Sequence, residues 1–364
     1  MAQMRVLPGQ PDAAATAAVD LRTRLAGLAL PNPVLTASGC AGAGRELHQF
    51  VDVASLGAVV TKSIMLAPRA GRATPRMVET PSGLLNSIGL QGPGLEEFLA
   101  HDLPWLVEHG ARPVVSIAGE SVEEYARLAA RLRHAPGVAG VEVNISCPNV
   151  ANRGLVFACR ATDAATVVRA VRQNTAGSVP VLAKLSPDVT DIVEIAAACV
   201  AAGADGLSLI NTLLGMVIDT TTMRPSLAGV TGGLSGPAIR PVAVRCVWQV
   251  HEAMPEVPIL AMGGILTGSD ALEMVLAGAS AVSVGTAIFH DPGAPGRILA
   301  ELAHALAGLG FARLVDAVGY AHRPPEPPPD AGAGSGTVTD AGADAPAEGS
   351  ADVEAVTGPP QVRR

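Results

Sequence analysis

Two lysines occupy positions where a charged side chain could take part in chemistry. Of the 25 basic residues in the chain, 23 are arginines, and the lysines are Lys62 and Lys184. Each ends a short apolar run that is typical of a buried strand. A chain that otherwise uses arginine could need a compact ammonium group at these two positions. The alternative is that both lysines are a chance remainder of the composition.

Four asparagines are placed in a similar way. Asn144 and Asn211 lie in or at the end of apolar runs, Asn149 follows soon after, and Asn86 lies in a long connection. A carboxamide offers both a donor and an acceptor, so several around one cavity would suit a flat ligand with alternating C=O and N–H groups, such as an imide or a pyrimidine. Asparagine also favours turns and loops, which would explain any one of them alone.

A cysteine follows the run that contains Asn144, in the segment Asn-Ile-Ser-Cys-Pro-Asn. Pro148 fixes a turn that would hold the Cys147 thiol over a cavity at the strand end. A single cysteine is more often a small buried hydrophobic residue than a catalyst, and that interpretation is adopted for Cys159, Cys199 and Cys246. The role of Cys40, which lies among small residues, is left open.

Two glycine-containing turns could bind a phosphate group. Gly263-Gly264 and Gly285-Thr286 each follow an apolar run late in the chain. Backbone N–H groups without a neighbouring side chain can approach a dianion closely. One Gly-Gly pair is weak support, but the two placements together predict a phosphorylated cofactor or substrate.

The elements that must position these residues are repeated βα units. The expected strands are 33–37, 58–62, 113–117, 141–146, 181–185, 206–210, 259–262 and 281–284. The expected helices are 45–54, 122–134, 163–173, 192–202, 239–253, 270–277 and 297–309. We expect Ser121 and either Thr162 or Asp163 to act as N-caps.

Eight units in about 300 residues predict an α/β fold of the TIM (β/α)₈ barrel type, with reacting groups at the carboxyl ends of the strands. An open doubly wound sheet is the competitor, but the turn from Ser38 to Gly44 does not match its G-x-G-x-x-G fingerprint. The long connections after strands 2 and 6, residues 63–94 and 212–237, are expected to form a lid or a partner surface.

Composition excludes several other classes of protein. The 364 residues carry a net charge of −8, of which −5 belongs to residues 324–364, so no basic surface for nucleic acid is expected. The five cysteines are scattered and form no C-x-x-C pair, so we expect reduced thiols in a cytoplasm and no metal site. The sequence contains no apolar stretch of about twenty residues, which favours a soluble protein. We expect a flexible arm at 1–20, one barrel domain at 21–322 and a disordered Pro-, Ala-, Gly- and acid-rich tail at 323–364.

With these residues in view, the chain resembles the class 1 dihydroorotate dehydrogenases, which are FMN-containing barrels of pyrimidine (UMP) biosynthesis. The resemblance runs from about Leu21 to Tyr320. The matching motifs are Thr36-Ala-Ser-Gly39, Thr61-Lys62, Leu85-Asn-Ser-Ile-Gly-Leu90, Asn144-Ile-Ser-Cys-Pro-Asn149, Ala183-Lys-Leu-Ser-Pro187, Ile210-Asn-Thr212, Gly232-Gly-Leu-Ser-Gly-Pro237, Met262-Gly-Gly264 and Val284-Gly-Thr286.

The resemblance implies a role for each matching residue. Cys147 would be the base that removes a proton from C5 of (S)-dihydroorotate while a hydride leaves C6 for the flavin, and Lys62 would contact both flavin and substrate. Substrate contacts would come from Lys62, Asn86, Ser87, Ile88, Gly89, Leu90, Asn144, Asn149, Asn211 and Thr212. FMN contacts would come from Ser38, Lys62, Ser63, Ser116, Asn144, Lys184, Ile210, Gly236, Gly263, Gly264, Gly285 and Thr286. Many relatives have asparagine in place of Ser116, whose hydroxyl reaches less far.

The resemblance also implies partners. The segment 232–238 is most similar to the catalytic subunit of the NAD-linked 1B subtype, which passes electrons to a subunit that carries FAD and a [2Fe-2S] cluster. A homodimer is expected by analogy. The alternatives are a fumarate-linked 1A enzyme, another FMN-dependent pyrimidine or imide oxidoreductase, and a barrel subunit without catalytic activity.

Overall fold

The structure, a computed structural model, describes residues 16–145 and 160–324. Residues 325–364 of the expected tail and residues 1–15 of the expected amino-terminal arm therefore lie outside the described residues. In chain order the strands are β1 (Thr23–Leu25), β2 (Leu28–Leu30), β3 (Val34–Thr36), β4 (Val59–Val60), β5 (Met77–Thr80), β6 (Gly83–Asn86), β7 (Pro113–Ile117), β8 (Gly140–Asn144), β9 (Val181–Leu185), β10 (Gly206–Leu209), β11 (Leu213–Gly215), β12 (Ile218–Asp219), β13 (Arg224–Pro225), β14 (Gly232–Ser235), β15 (Ile259–Met262) and β16 (Ala281–Val284).

Helices lie in several of the connections between these strands and after the last strand. They are α1 (Arg45–His48), α2 (Leu95–Glu97), α3 (Leu103–Glu108), α4 (Val122–Leu132), α5 (Ala161–Asn174), α6 (Ile192–Ala201), α7 (Arg240–Ala253), α8 (Gly268–Leu276), α9 (Ala287–His290), α10 (Ala294–Gly308) and α11 (Leu314–Ala317). A π-helical turn, Phe98–Asp102, joins α2 to α3, and short 3₁₀ turns span Val53–Ser55, Pro237–Ile239 and Tyr320–His322.

A parallel barrel forms the centre of the described residues. Its hydrogen-bonded order is β3-β16-β15-β10-β9-β8-β7-β4. The ring closes where Leu35 in β3 forms a parallel bridge to Ala58, which precedes β4. The predicted (β/α)₈ barrel is confirmed, and each of the eight strands begins and ends within two residues of its expected bounds.

Apolar side chains fill the amino-terminal end of the barrel. Leu35, Leu182 and Leu260 belong to one buried cluster that also contains Leu25 and Leu30 from the β1–β2 hairpin. This hairpin closes the end of the barrel where the strands begin, because Ala26 lies beside Gly206, the first residue of β10. Polar groups inside the barrel can therefore meet solvent only towards the carboxyl ends of the strands.

One of the two predicted helix N-caps is present in the structure and the other is not. The Ser121 hydroxyl accepts a hydrogen bond from the Glu124 backbone N–H and caps α4, as predicted. The prediction of Thr162 or Asp163 as a cap is wrong, because α5 begins at Ala161 and Arg160 takes the N-cap position without a side-chain hydrogen bond. Asp163 lies instead in the first turn, where its negative charge favours the helix dipole. The expected helix 45–54 is shorter, since α1 ends at His48.

The two long connections build a second sheet. The first contributes β5 and β6, the second contributes β11 and β14, and the four strands pair antiparallel in the order β11-β14-β6-β5. Gly233 faces Asn86 in this pairing, so residues far apart in the sequence meet above the barrel. Among the described helices, none combines the length and the apolar composition required to cross a bilayer.

Candidate functional site

A cavity of ≈ 330 Å³ lies at the carboxyl ends of the barrel strands, between the barrel and the second sheet. Most of the residues singled out from the sequence lie on its wall. These are Ser38, Lys62, Ser63, Asn86, Ile88, Gly89, Leu90, Asn144, Lys184, Ile210, Asn211, Thr212, Gly236, Gly263, Gly264, Gly285 and Thr286. Cys147 and Asn149 lie outside the described residues, and so does Cys159.

Two of the predicted residues lie behind the wall of the cavity. Ser116 is fully buried in β7, and its hydroxyl is 2.9 Å from the Ser63 hydroxyl, which does face the cavity. Ser87 is also buried, and its hydroxyl accepts a hydrogen bond of 3.1 Å from Arg72 Nη1. In this arrangement both serines support wall residues rather than form the wall themselves.

Lys184 brings a positive charge to the floor of the cavity. Its side chain is 3% exposed, and Nζ donates a hydrogen bond of 2.8 Å to the Ser38 hydroxyl. The Glu142 carboxylate is 3.7 Å from the same Nζ. Lys62, at the end of the β4 region, lines the same cavity, so both predicted lysines meet there. This pair of cations suits a ligand that carries or acquires negative charge.

Hydrogen bonds from neighbouring elements orient two of the predicted asparagines. Asn144 Nδ2 donates to the Ser63 hydroxyl at 3.0 Å, and the Tyr125 hydroxyl donates to the backbone carbonyl of Asn144 at 2.8 Å. Asn86 Nδ2 donates to the Gly233 carbonyl at 3.2 Å, across the second sheet. Hydrogen bonds to Ser63 and Gly233 therefore hold the two carboxamides on the cavity wall.

The opposite part of the wall contains glycine turns. Gly263 and Gly264 follow β15 with φ angles of 127° and 76°, which turn the backbone sharply at the cavity. The Thr286 hydroxyl donates to the Ser235 hydroxyl at 2.7 Å. Ser283 Oγ is buried on this wall and has no hydrogen-bond partner among the described residues. Small residues and spare hydroxyls of this kind can accommodate a phosphate group.

Cys40, whose role the sequence leaves open, also lines the cavity. Burial raises the pKa of its thiol to about 11, and the charges of Lys184 and Lys62 lower it only in part. Cys40 is therefore a neutral thiol at neutral pH, which does not favour a role as a base. Cys199 and Cys246 are buried, as predicted.

Sequence reasoning missed a group of arginines that holds the loop after β6. Arg69 Nε donates to the Gly89 carbonyl at 2.9 Å, Arg72 donates to Ser87, and Arg76 Nη1 donates to the Gln91 side chain at 2.7 Å. The only sequence signal is three arginines within eight residues of one connection.

The loop that these arginines hold has an unusual backbone. Leu90, on the cavity wall, has a φ of 54°, a left-handed conformation that costs a residue with a side chain about 1–2 kcal/mol. The surrounding hydrogen bonds stabilise this conformation and so set the shape of the wall from Asn86 to Leu90.

Comparisons with known proteins identify relatives over most of the chain. Residues 20–306 match the family model described as dihydroorotate dehydrogenase. A protein of Desulforudis audaxviator is 55% identical over 299 residues, which cover 82% of this chain and 96% of that protein. Proteins of Geobacter sulfurreducens and Pelobacter propionicus are each 53% identical over 300 residues, which cover 82% of this chain and 97% and 98% of theirs. All three are named dihydroorotate dehydrogenase B (NAD(+)), catalytic subunit.

Proposed function

The chain belongs to the dihydroorotate dehydrogenase family, and we propose that it oxidises (S)-dihydroorotate to orotate in pyrimidine biosynthesis with FMN as its cofactor. The observation that carries this proposal is that Lys62, Lys184 and the asparagines meet the glycine turns around one cavity. A catalytically silent barrel would have no reason to keep these charged and amide groups together around an open cavity.

The residues of the cavity fit FMN. A cavity of ≈ 330 Å³ is within the range of about 300–1,000 Å³ that is usual for small-molecule sites. Lys184 would supply a cation for the part of the ring system that becomes negative, and Gly263, Gly264, Gly285 and Thr286 would supply a site for the phosphate. The Ser283 hydroxyl, which has no hydrogen-bond partner in the described part of the chain, would supply a further hydrogen-bonding group. When bound, FMN accepts the two electrons of the oxidation as a hydride equivalent.

The chain's own residues bind and orient the substrate. A lysine such as Lys62 can neutralise the substrate carboxylate, and the carboxamides of Asn86, Asn144 and Asn211 can pair with its C=O and N–H groups. Asn86 and Asn144 are already held by Gly233 and Ser63, so little ordering is needed when the substrate binds.

We assign the proton transfer to Cys147, on the resemblance of its motif, and its Sγ would accept the C5 proton. A free thiol has a pKa of about 8.5, so a cysteine base is mostly protonated at neutral pH. The rate of substrate oxidation should therefore rise towards alkaline pH.

The decisive experiment is anaerobic mixing of the purified yellow protein with dihydroorotate. Bleaching of the FMN absorbance is expected, and Cys147→Ala should slow it by about 10²–10⁴-fold while FMN stays bound. Cys199→Ala is the matched control, because it removes a buried thiol in α6 and should bleach at the normal rate. Failure of dihydroorotate to bleach the wild-type protein would instead favour another pyrimidine or imide substrate.

We also propose a partner subunit that carries FAD and a [2Fe-2S] cluster and passes the electrons to NAD⁺. The relatives' name as catalytic subunits of an NAD(+)-linked enzyme supports this proposal. Turnover with NAD⁺ is expected only when the partner is added, whereas turnover with fumarate by the isolated chain would favour the 1A type.

We also propose that two copies of the chain form a homodimer core and that the protein acts in the cytoplasm. Exposed apolar side chains in β11 and in the segment between β11 and β14 support association with another protein surface. They are Leu214, Met216, Ile218, Met223 and Val230. Sedimentation analysis of the isolated chain should give the mass of two copies, and a monomer would contradict the dimer.

A further inference from the structure

A carboxylate lies inside the barrel, where a charge is costly to bury. Strand β8 reads Gly-Val-Glu-Val-Asn, and Val141 and Val143 pack in the cluster between barrel and helices. Since side chains alternate along a strand, Glu142 points into the barrel. Its side chain is 0% exposed, and neither carboxylate oxygen has a hydrogen-bond partner among the described residues. A buried carboxylate without hydrogen bonds needs another source of stabilisation.

Lys184 on the neighbouring strand β9 provides the opposite charge. Its Nζ is 3.7 Å from Glu142 Oε1, close enough for strong attraction but too far for a direct hydrogen bond. Both groups are almost fully removed from water, so screening of this attraction is weak. Together they form a neutral pair, of which Lys184 reaches the cavity wall.

We propose that Glu142 is a positioning residue that acts as the counter-ion of Lys184 and thereby controls how much more tightly the site binds reduced FMN than oxidised FMN. This proposal rests on the FMN cofactor proposed above. In the proposed reaction Cys147 would take up the C5 proton, and the hydrogen at C6 would leave the substrate together with two electrons. This hydride equivalent would add one negative charge to the cofactor beside Lys184.

The pair determines how the site responds to that extra charge. Lys184 alone would favour the reduced cofactor strongly, because its ammonium group lies in a buried, poorly screened position. The Glu142 carboxylate partly cancels this field, so the reduced cofactor can pass its electrons on. A role for Glu142 in folding alone would predict a loss of stability without a change in this preference.

A first experiment tests the ion pair without any cofactor or substrate. Thermal unfolding of the apoprotein is measured for the wild type, Glu142→Gln, Lys184→Met and the double variant. Lys184→Met should lower the midpoint temperature of unfolding, because it leaves a buried carboxylate unpaired. The double variant, which also carries Glu142→Gln, should recover most of the lost thermal stability. Strictly additive effects of the two substitutions would overturn the pairing.

A second experiment measures the binding of oxidised and of chemically reduced FMN to each apoprotein under anaerobic conditions. In Glu142→Gln the affinity for reduced FMN should rise at least tenfold relative to that for oxidised FMN, and tenfold corresponds to about 30 mV in a two-electron potential. Glu142→Asp, which keeps the charge, should stay within about threefold of the wild type on the same scale.

The exposed Glu252 on α7 provides a matched control. Glu252→Gln removes one negative charge from a solvent-exposed helix residue and should leave the ratio of the affinities for reduced and oxidised FMN unchanged. An unchanged ratio in Glu142→Gln would overturn the proposed role. If the wild-type apoprotein did not bind FMN at all, the proposed cofactor would fail, whereas the unfolding cycle would still decide whether the two residues are coupled.

Discussion

Replacement of Gly264 by alanine tests whether the turn after β15 must keep its backbone at the cavity. Gly264 has a φ of 76°, and an added Cβ would lie 2.7 Å from Arg240 Cβ and 2.8 Å from the Gly236 carbonyl oxygen. The left-handed backbone costs an alanine about 1–2 kcal/mol. The contacts add about 1–3 kcal/mol, since neither partner is the flexible end of a side chain. The expected loss of unfolding free energy is therefore about 2–5 kcal/mol.

Gly27 in the β1–β2 hairpin provides a matched control. Its φ is 87°, and no heavy atom of the described residues lies within 4 Å of an added Cβ beyond its chain neighbours. Gly27→Ala should therefore cost only the conformational part, about 1–2 kcal/mol. Comparing the two variants isolates the effect of crowding at Gly264.

Denaturant unfolding of the apoproteins and fluorescence titration with FMN measure the two consequences. Gly264→Ala should be less stable than Gly27→Ala and should bind FMN at least tenfold more weakly, which corresponds to about 1.4 kcal/mol. Gly27→Ala should bind FMN as the wild type does. Equal stability of the two variants, together with normal FMN affinity in Gly264→Ala, would refute the reasoning from these contacts.

Two further predictions concern the arginine-held loop and the carboxyl-terminal part of the described chain. Arg72→Met keeps the aliphatic stem but removes the hydrogen bond to Ser87. In steady-state kinetics the KM for dihydroorotate should rise by about fivefold, or about 1 kcal/mol, with FMN affinity unchanged. Arg24→Met, at an exposed arginine, is the control, and equal KM values in both variants would contradict a role for the loop. Burial, with a smaller effect of His322, lowers the pKa of His251 from 6.5. The unfolded chain therefore binds more protons at this histidine than the folded protein does, and the unfolding free energy should fall as the pH drops below about 6.5. Thermal unfolding should show a smaller loss in His251→Gln than in the wild type, and identical pH profiles would exclude this contribution.

Local patterns made much of the barrel predictable from the sequence. Strand β9 is Val181–Leu185 as expected, because a short continuous apolar run bounded by turns has few other ways to bury its side chains. The carboxyl ends of parallel strands share one end of a barrel, so the meeting of Lys62 and Lys184 in one cavity also followed from their positions in the sequence. The resemblance of the motifs to a family then identified the chemistry that such a cavity could support.

Only the tertiary structure revealed the second sheet and the groups that orient the site. The pairing of Gly233 with Asn86 joins two connections whose strands are short and only partly buried, so no local pattern indicates it. The hydrogen bonds from Arg69, Arg72 and Arg76 depend on the path of a loop. The buried pair of Glu142 and Lys184 depends on the packing of two neighbouring strands. The periodicity of apolar residues in the sequence indicates which residues are buried, because burial follows the geometry of each strand or helix. The contacts between polar groups depend instead on distances that exist only after the whole chain has folded.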